Sequence, residues 1–221
     1  MRGGRAIVGL VLPASLAAAG LTAARITDSD RPAAAAAAAA AAKLPQRTCK
    51  QRVEGTGHIP FRVREGDIRI GPVIFSALGR AATLRGDELR PMNGRLPVVK
   101  SGVGVRASRV VTVSVVPADR AYARPDYVLG SSGLWKDLAQ VPTAVKIRAC
   151  RRDQPAFSYD GPVGESTGFS GGFILAGDGV GRCVTVEVRV KGSSRIYRRA
   201  VSFGAGPCPS ARAADGVSSF R

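Results

Sequence analysis

The sequence is poor in the residues from which most active sites are built. It contains one histidine, His58, and only four cysteines, and its 16 acidic residues face 33 lysines and arginines. The cysteines form no Cys-x-x-Cys pair and there is no second histidine, so a zinc site is not expected. Neighbouring carboxylates such as Glu65 and Asp67 lie in no glycine-containing loop of calcium-binding spacing. We therefore expect neither a metal site nor a bound cofactor.

Aromatic residues are also scarce, at 5% of the chain, and they do not alternate with the basic residues. Binding of single-stranded nucleic acid needs such alternation, because bases stack on aromatic rings between phosphate contacts. No nucleic-acid partner is therefore expected. No segment after residue 42 is long or apolar enough to cross a membrane. The abundant residues are instead valine, alanine, glycine and proline, a composition that favours an all-β chain.

The first 24 residues have the pattern of an export segment. Met1, Arg2 and Arg5 precede an apolar stretch that ends in small residues by residue 24, as in a secretory signal peptide. An uncleaved N-terminal anchor remains the alternative, and residues 25–48, with ten alanines at Ala33–Ala42, are expected to form a linker. Either alternative predicts an extracellular or envelope location with at most one membrane anchor. Removing residues 1–42 leaves 29 basic and 14 acidic residues, a net charge of +15.

The cysteines of an exported chain predict two disulfides. Strand alternation places Cys150, at the end of one predicted strand, and Cys183, at the start of another, on outward-facing positions. If these strands pair antiparallel, the two thiols face each other. We therefore predict the pairs Cys150–Cys183 and Cys49–Cys208.

Short apolar or alternating runs, separated by turn residues, recur from residue 61 to residue 203. Valines alternate in Arg109–Val116 and Cys183–Val190 with the period of a strand that has one buried face. About eight such strands predict an antiparallel β-sandwich of immunoglobulin-like architecture over residues 49–208, with a disordered tail at 209–221. Residues 79–95 and 118–140 are expected to be loops. The predicted core consists of Val111, Val113, Val115, Val145, Ile147, Val184, Val186, Val188 and Val190.

Four segments resemble exported actinobacterial proteins of unknown function. They are Ile70-Gly-Pro-Val-Ile-Phe75, Gly168-Phe-Ser-Gly-Gly-Phe173, Cys183-Val-Thr-Val-Glu-Val188 and Phe203-Gly-Ala-Gly-Pro-Cys208. The resemblance covers about Cys49 to Cys208. It implies a compact secreted domain and assigns no functional residue.

One motif raises the question of catalysis. Gly168-Phe-Ser-Gly-Gly172 has the spacing of a nucleophile elbow, but a loop is expected before Ser170, a strand after it, and no histidine follows. The motif is also similar to the Gly-Asp-Ser-Gly-Gly of chymotrypsin-like proteases, and His58, Asp119 or Asp126, and Ser170 follow the order of that triad. Phe169, however, replaces the aspartate of that family's motif. We predict a glycine-rich bend with Phe169 in the core and no catalytic residues, and an active or degenerate serine hydrolase is the alternative. Gly102-Val-Gly104 is likewise interpreted as a hairpin turn and not as a nucleotide site.

The positive charge is the remaining clue. Arg62 and Arg64, like Lys146 and Arg148, would share a strand face. Arginine binds phosphates and carboxylates through two parallel hydrogen bonds. We therefore predict a non-catalytic envelope module that binds anionic wall polymers or lipid headgroups, or an envelope protein. The candidate binding residues are Arg148, Arg151, Arg152, Arg189, Lys191, Arg198 and Arg199.

Overall fold

The fold is that of a computed structural model, which describes the greater part of the chain after residue 43. The described residues are 44–51, 61–86, 88–89, 94–128, 135–152, 154–156, 159–162 and 164–209. The predicted export segment, most of the linker, His58 and the tail beyond residue 209 lie outside these ranges.

Extended segments dominate the described residues, and the helices are short 3-10 turns. The strands are β1 (Gln46–Arg47), β2 (Ile68–Ile70), β3 (Val73–Phe75), β4 (Val98–Lys100), β5 (Val103–Arg106), β6 (Val110–Val115), β7 (Ala123–Asp126), β8 (Ala144–Arg148), β9 (Pro155–Ala156), β10 (Tyr159–Pro162), β11 (Ser166–Phe169), β12 (Gly172–Leu175), β13 (Arg182–Val190) and β14 (Ile196–Phe203). The 3-10 helices are Cys49–Gln51, Leu78–Thr83, Pro117–Asp119, Leu138–Gln140 and Gly177–Gly179. None of the helices in the described part of the chain has the length and apolarity that a bilayer crossing requires.

The largest sheet has the strand order β1-β8-β6-β13-β14. All of its pairs are antiparallel except β1 with β8, which is parallel. The predicted alternation is confirmed here, since eight of the nine predicted core residues are buried, while Val190 is half-buried. Strand β1 falls within residues 25–48, so the folded part of the chain begins ahead of residue 49.

Two smaller sheets are joined end to end by two strand pairs, β4 with β12 and β5 with β11, that have one register. Their strand orders are β11-β5-β3-β2 and β4-β12-β7, and β9 and β10 form a separate pair. Lys100 lies opposite Gly172 and Val103 lies opposite Phe169, so one register continues from β4 into β5 and from β11 into β12. The strands are interrupted at residues 101–102 and 170–171, an interruption that we call the bend, and there the Ser101 amide donates to the Gly171 carbonyl at 2.9 Å. Gly102 therefore lies at this bend and Gly104 lies within β5. The hairpin turn predicted at this position is wrong.

One core cluster draws residues from all three of these sheets. At its centre, Phe173 lies 5.9 Å from Phe75, 6.0 Å from Tyr127 and 5.6 Å from Phe203 between ring centroids. Phe169 is also buried, as predicted. A second, smaller cluster contains Leu138, Val141 and Ile174.

The predicted disulfide pairing is wrong. The bonds are Cys49–Cys150 and Cys183–Cys208, with Cα atoms 4.7 and 5.7 Å apart. Strands β8 and β13 are not neighbours, because β6 lies between them and is antiparallel to both. Cys150, beyond the end of β8, and Cys183, at the start of β13, therefore lie at opposite ends of the sheet. Cys150 is also fully buried, since the outward alternation of β8 ends with the strand at Arg148.

Candidate functional site

Four cations share the outer face of the five-stranded sheet. Lys146 of β8 and Arg189 of β13 lie opposite the same residue of the central strand β6. One step further along, Arg148 lies opposite Val110, and the Lys191 amide donates to the Val110 carbonyl at 2.9 Å. Neighbouring strands are about 5 Å apart, so the Cα atoms of the two basic residues in each row are about 10 Å apart, and the rows are about 7 Å apart. We call Lys146, Arg148, Arg189 and Lys191 the basic face.

A buried carboxylate orients two arginines at this surface. Glu187 exposes 7% of its side chain, and its Oε1 and Oε2 accept hydrogen bonds from Nε of Arg189 at 2.6 Å and of Arg198 at 2.8 Å. Burial by itself raises the pKa of Glu187, but the two hydrogen bonds and the two positive charges outweigh it and hold the pKa below its usual range. The three side chains therefore keep one net positive charge in a fixed arrangement.

The other candidate arginines are dispersed. Arg199 lies opposite Val186, a core residue, so it is on the face of the sheet opposite to Arg198 although it is exposed. Arg151 and Arg152 are exposed and follow the end of β8, where the Arg151 amide donates to Gln154 Oε1 at 2.8 Å. The single stripe expected from the sequence is therefore a cluster on one face with outlying arginines around it.

Arg62 and Arg64 line a different feature, a groove of about 780 Å³. The expectation that they share a strand face is wrong, because residues 61–64 are irregular. Arg80 of the 3-10 helix Leu78–Thr83 and Lys100 of β4 also line the groove. Asp67, another lining residue, accepts hydrogen bonds from the backbone amides of residues 64 and 77, both at 2.9 Å.

The floor of the groove is the outer face of the sheet β11-β5-β3-β2. Gly168, Gly104 and Ile74 lie side by side across three strands of this sheet. A Cβ atom added to Gly104 would meet nothing nearer than the Ile74 carbonyl oxygen at 3.8 Å and the Ser166 Oγ at 3.9 Å. A side chain at Gly104 therefore has room, whereas Gly168 is buried. The groove is not predicted from the sequence, because Gly104 and Gly168 are interpreted there as turn residues, whereas each lies within a strand.

Ser170 and Asp126 both line this groove. Ser170 is exposed at the bend, whereas Asp126 is 1% exposed at the end of β7. The other candidate acid, Asp119, accepts the Thr185 amide at 2.7 Å through its carboxylate. His58 lies outside the described residues, so the hydrolase alternative rests on Ser170 and Asp126 alone.

Steric constraints account for the two glycines that follow Ser170. A Cβ atom at Gly171 would overlap the Tyr127 ring and lie 2.6 Å from the Asp126 carbonyl oxygen, and one at Gly172 would overlap the Val99 carbonyl oxygen. Phe173, predicted to lie in a buried strand after these glycines, is in β12 and is fully buried. Strand β11 precedes Ser170 where a loop was expected, and β12 follows it as predicted, where a nucleophile elbow would need a helix.

Among the described residues, no three His, Cys, Asp or Glu side chains are grouped so that they could hold a metal ion. The chain matches no protein-family model, no curated protein and no solved structure. The argument for function therefore rests on the basic face and the groove.

Proposed function

We propose that this chain is an exported, non-catalytic module of the cell envelope that binds an anionic wall polymer through its basic face. The observation that carries the proposal is the alignment of Lys146, Arg148, Arg189 and Lys191 on one face of a five-stranded sheet. Cations in two rows suit a chain with repeated phosphates or carboxylates, because several weak contacts act together.

Three further features support this proposal. Two disulfides are typical of an oxidising environment outside the cytoplasm. The export pattern of residues 1–24 agrees with that environment. We also propose that the sheets pack as a β-sandwich of immunoglobulin-like architecture, since one apolar core contains residues from both the five-stranded sheet and the smaller sheets.

The test is a salt series. Residues 43–221, purified with both disulfides formed, are incubated with isolated cell wall and, separately, with phosphatidylglycerol vesicles. We expect retention on cell wall that falls steeply with salt, because each contacted anion releases a counterion. Retention on vesicles alone would replace the polymer by lipid headgroups. Absence of retention on either material at low salt would refute the proposal.

A matched pair of variants distinguishes the effect of the basic face on retention from the effect of the net charge. The triple variant Lys146→Gln, Arg148→Gln and Lys191→Gln removes three charges from the basic face. The control removes three exposed charges elsewhere, with Arg85→Gln, Arg95→Gln and Lys136→Gln. The proposal requires the first variant to lose retention and the control to keep it. Equal losses would show that overall charge, and not this face, is responsible.

A serine hydrolase is the competing function, and it is favoured only by the common location of Ser170 and Asp126 in one groove. A fluorophosphonate probe decides between the two. We expect no covalent labelling of the folded protein. Labelling that disappears in Ser170→Ala would establish the hydrolase instead.

A further inference from the structure

The groove is independent of the basic face, since the two lie on different sheets and have no residue in common. Its volume, about 780 Å³, is within the range of sites that enclose a small molecule. Its floor and its walls differ in chemistry, and each restricts the ligand.

The floor restricts the shape of the ligand. Across β11, β5 and β3 its central row is Gly168, Gly104 and Ile74, a width of about 10 Å at the usual strand spacing, and Ser166 and Ser76 line the groove beside this row. Without side chains at Gly104 and Gly168, this part of the sheet is low and flat. A flat apolar body can therefore lie directly against the backbone, in contact with Ile74.

The walls restrict the charge of the ligand. Arg64, Arg80 and Lys100 line the groove, and the Arg80 side chain lies against Gly66, two residues from Arg64. Of the carboxylates in the lining, Asp67 already accepts two backbone amides. Asp126 interacts with the buried Arg47. Burial lowers the pKa of Arg47, and the negative charge of Asp126 acts in the opposite direction and raises it. With Arg62 and Glu65 included, the lining has four cations and three carboxylates, so the groove keeps one net positive charge.

We infer that this groove is a second binding site, specific for small amphiphilic anions that combine a flat apolar body with one carboxylate, sulfonate or phosphate group. The apolar body lies on the Gly104–Gly168 floor, and the anionic group is held by the cations of the walls. Neither feature suffices alone, because exposed ion pairs are weak and the apolar floor is small.

A pair of fluorescent probes tests both requirements. 8-Anilinonaphthalene-1-sulfonate has the required shape and charge, and N-phenyl-1-naphthylamine is the same ring system without the sulfonate. We expect the sulfonate to bind the full-length, oxidised protein at least tenfold more tightly than the neutral amine, and inorganic phosphate alone to compete poorly. Equal binding of the two probes would overturn the inference.

Gly104→Val fills the floor with little risk to the fold. Gly104 is a strand residue with negative φ, a Cβ atom there has room, and valine favours strands. We expect the variant to bind the sulfonate at least tenfold more weakly with an unchanged urea midpoint. The control is Gly177→Val, where an added Cβ atom meets nothing within 4 Å and which does not line the groove. Unchanged binding in Gly104→Val would refute the assignment.

A second variant addresses the walls. Arg64→Gln with Lys100→Gln removes two exposed charges, and at about 0.5 kcal/mol for each exposed pair we expect about a fivefold weaker affinity for the sulfonate. The triple variant of the basic face should bind the probe like the wild type. If the triple variant no longer binds the sulfonate probe while Arg64→Gln with Lys100→Gln binds it unchanged, the probe binds to the basic face and the groove is not its site.

Discussion

Removal of the two disulfides should have unequal effects, because the bonds close loops of very different length. Cys49–Cys150 spans 101 positions and Cys183–Cys208 spans 25. The chain-entropy model gives about 4.7 kcal/mol for the longer loop and about 3.5 kcal/mol for the shorter one. Each value is a large part of the 5–15 kcal/mol typical of a folded domain.

The longer loop has a second consequence. Strand β1 has two residues and is held to β8 by two residue pairs, and the disulfide follows it directly. Without that bond, β1 is expected to detach. Arg47, which is 3% exposed and lies with its guanidinium 5.8 Å from the centre of the Phe169 ring, would then move into water.

The assay is equilibrium unfolding in urea, followed by circular dichroism, on Cys49→Ala with Cys150→Ala and on Cys183→Ala with Cys208→Ala. We expect the first double variant to be the less stable, by 1 kcal/mol or more, and to lose hydrogen-exchange protection along β8. The second variant should keep that protection. The reasoning would be refuted if the second variant were the less stable, or if non-reducing peptide mapping of the wild type found another pairing.

Three further predictions concern single side chains. Glu187→Gln should lower the free energy of unfolding at pH 7 by about 1–2 kcal/mol, because it weakens two charge-assisted hydrogen bonds. The pKa of Glu187 is lowered in the folded state, so its contribution to stability is complete above about pH 4.3, the unfolded value, and is lost as the pH falls through the folded pKa. The free energies of unfolding of wild type and variant, measured in urea, should therefore converge in acid. Gly172→Ala places a methyl group against a backbone carbonyl of β4 and should lower the free energy of unfolding by about 3 kcal/mol. Ser170→Ala should change it by less than about 0.5 kcal/mol. Equal losses of stability in thermal melts would contradict the steric explanation of the glycine at position 172. Phe173→Ala empties the centre of the aromatic cluster and should cost about 4 kcal/mol in the same urea assay, and a cost below about 1 kcal/mol would show that the four rings do not pack as described.

The strands that the sequence predicts are those whose side chains alternate without interruption. β6, β8 and β13 contain β-branched residues at every second position, and burial of one face of the sheet imposes that pattern. The hinge at Gly71 between β2 and β3 could be predicted for the same reason, since a turn residue separates two apolar runs.

Other strands depend on contacts that are distant in sequence. β7 contains Pro125, which has no amide hydrogen, and it is tolerated because β7 is an edge strand that pairs only with β12. Arg124 in the same strand donates to the carbonyls of Ala139 and Val141 at 3.2 and 2.8 Å, an anchor that no local pattern reveals. The region 118–140 was therefore expected to be a loop.

The disulfides and the groove could not be predicted for a related reason. Alternation gives the face on which a residue lies, but it does not give the order of strands in the sheet. Cys150 and Cys183 were paired on the assumption that β8 and β13 are neighbours, and β6 separates them. The groove likewise forms only when Gly104 and Gly168 are brought side by side across two strands.

The long pairing that bends at Ser101 and Gly171 has a consequence for how the domain opens. The pairing of β4 with β12 continues across the bend, in the same register, as the pairing of β5 with β11. Each of the two smaller sheets therefore ends at the residues where the other begins. The Ser101–Gly171 hydrogen bond joins the two runs of strand pairs, so we expect the two sheets to open as one cooperative unit. Their amides should exchange with a single opening free energy. A ligand that binds above the bend would therefore slow exchange in both sheets, including in β7, which does not line the floor.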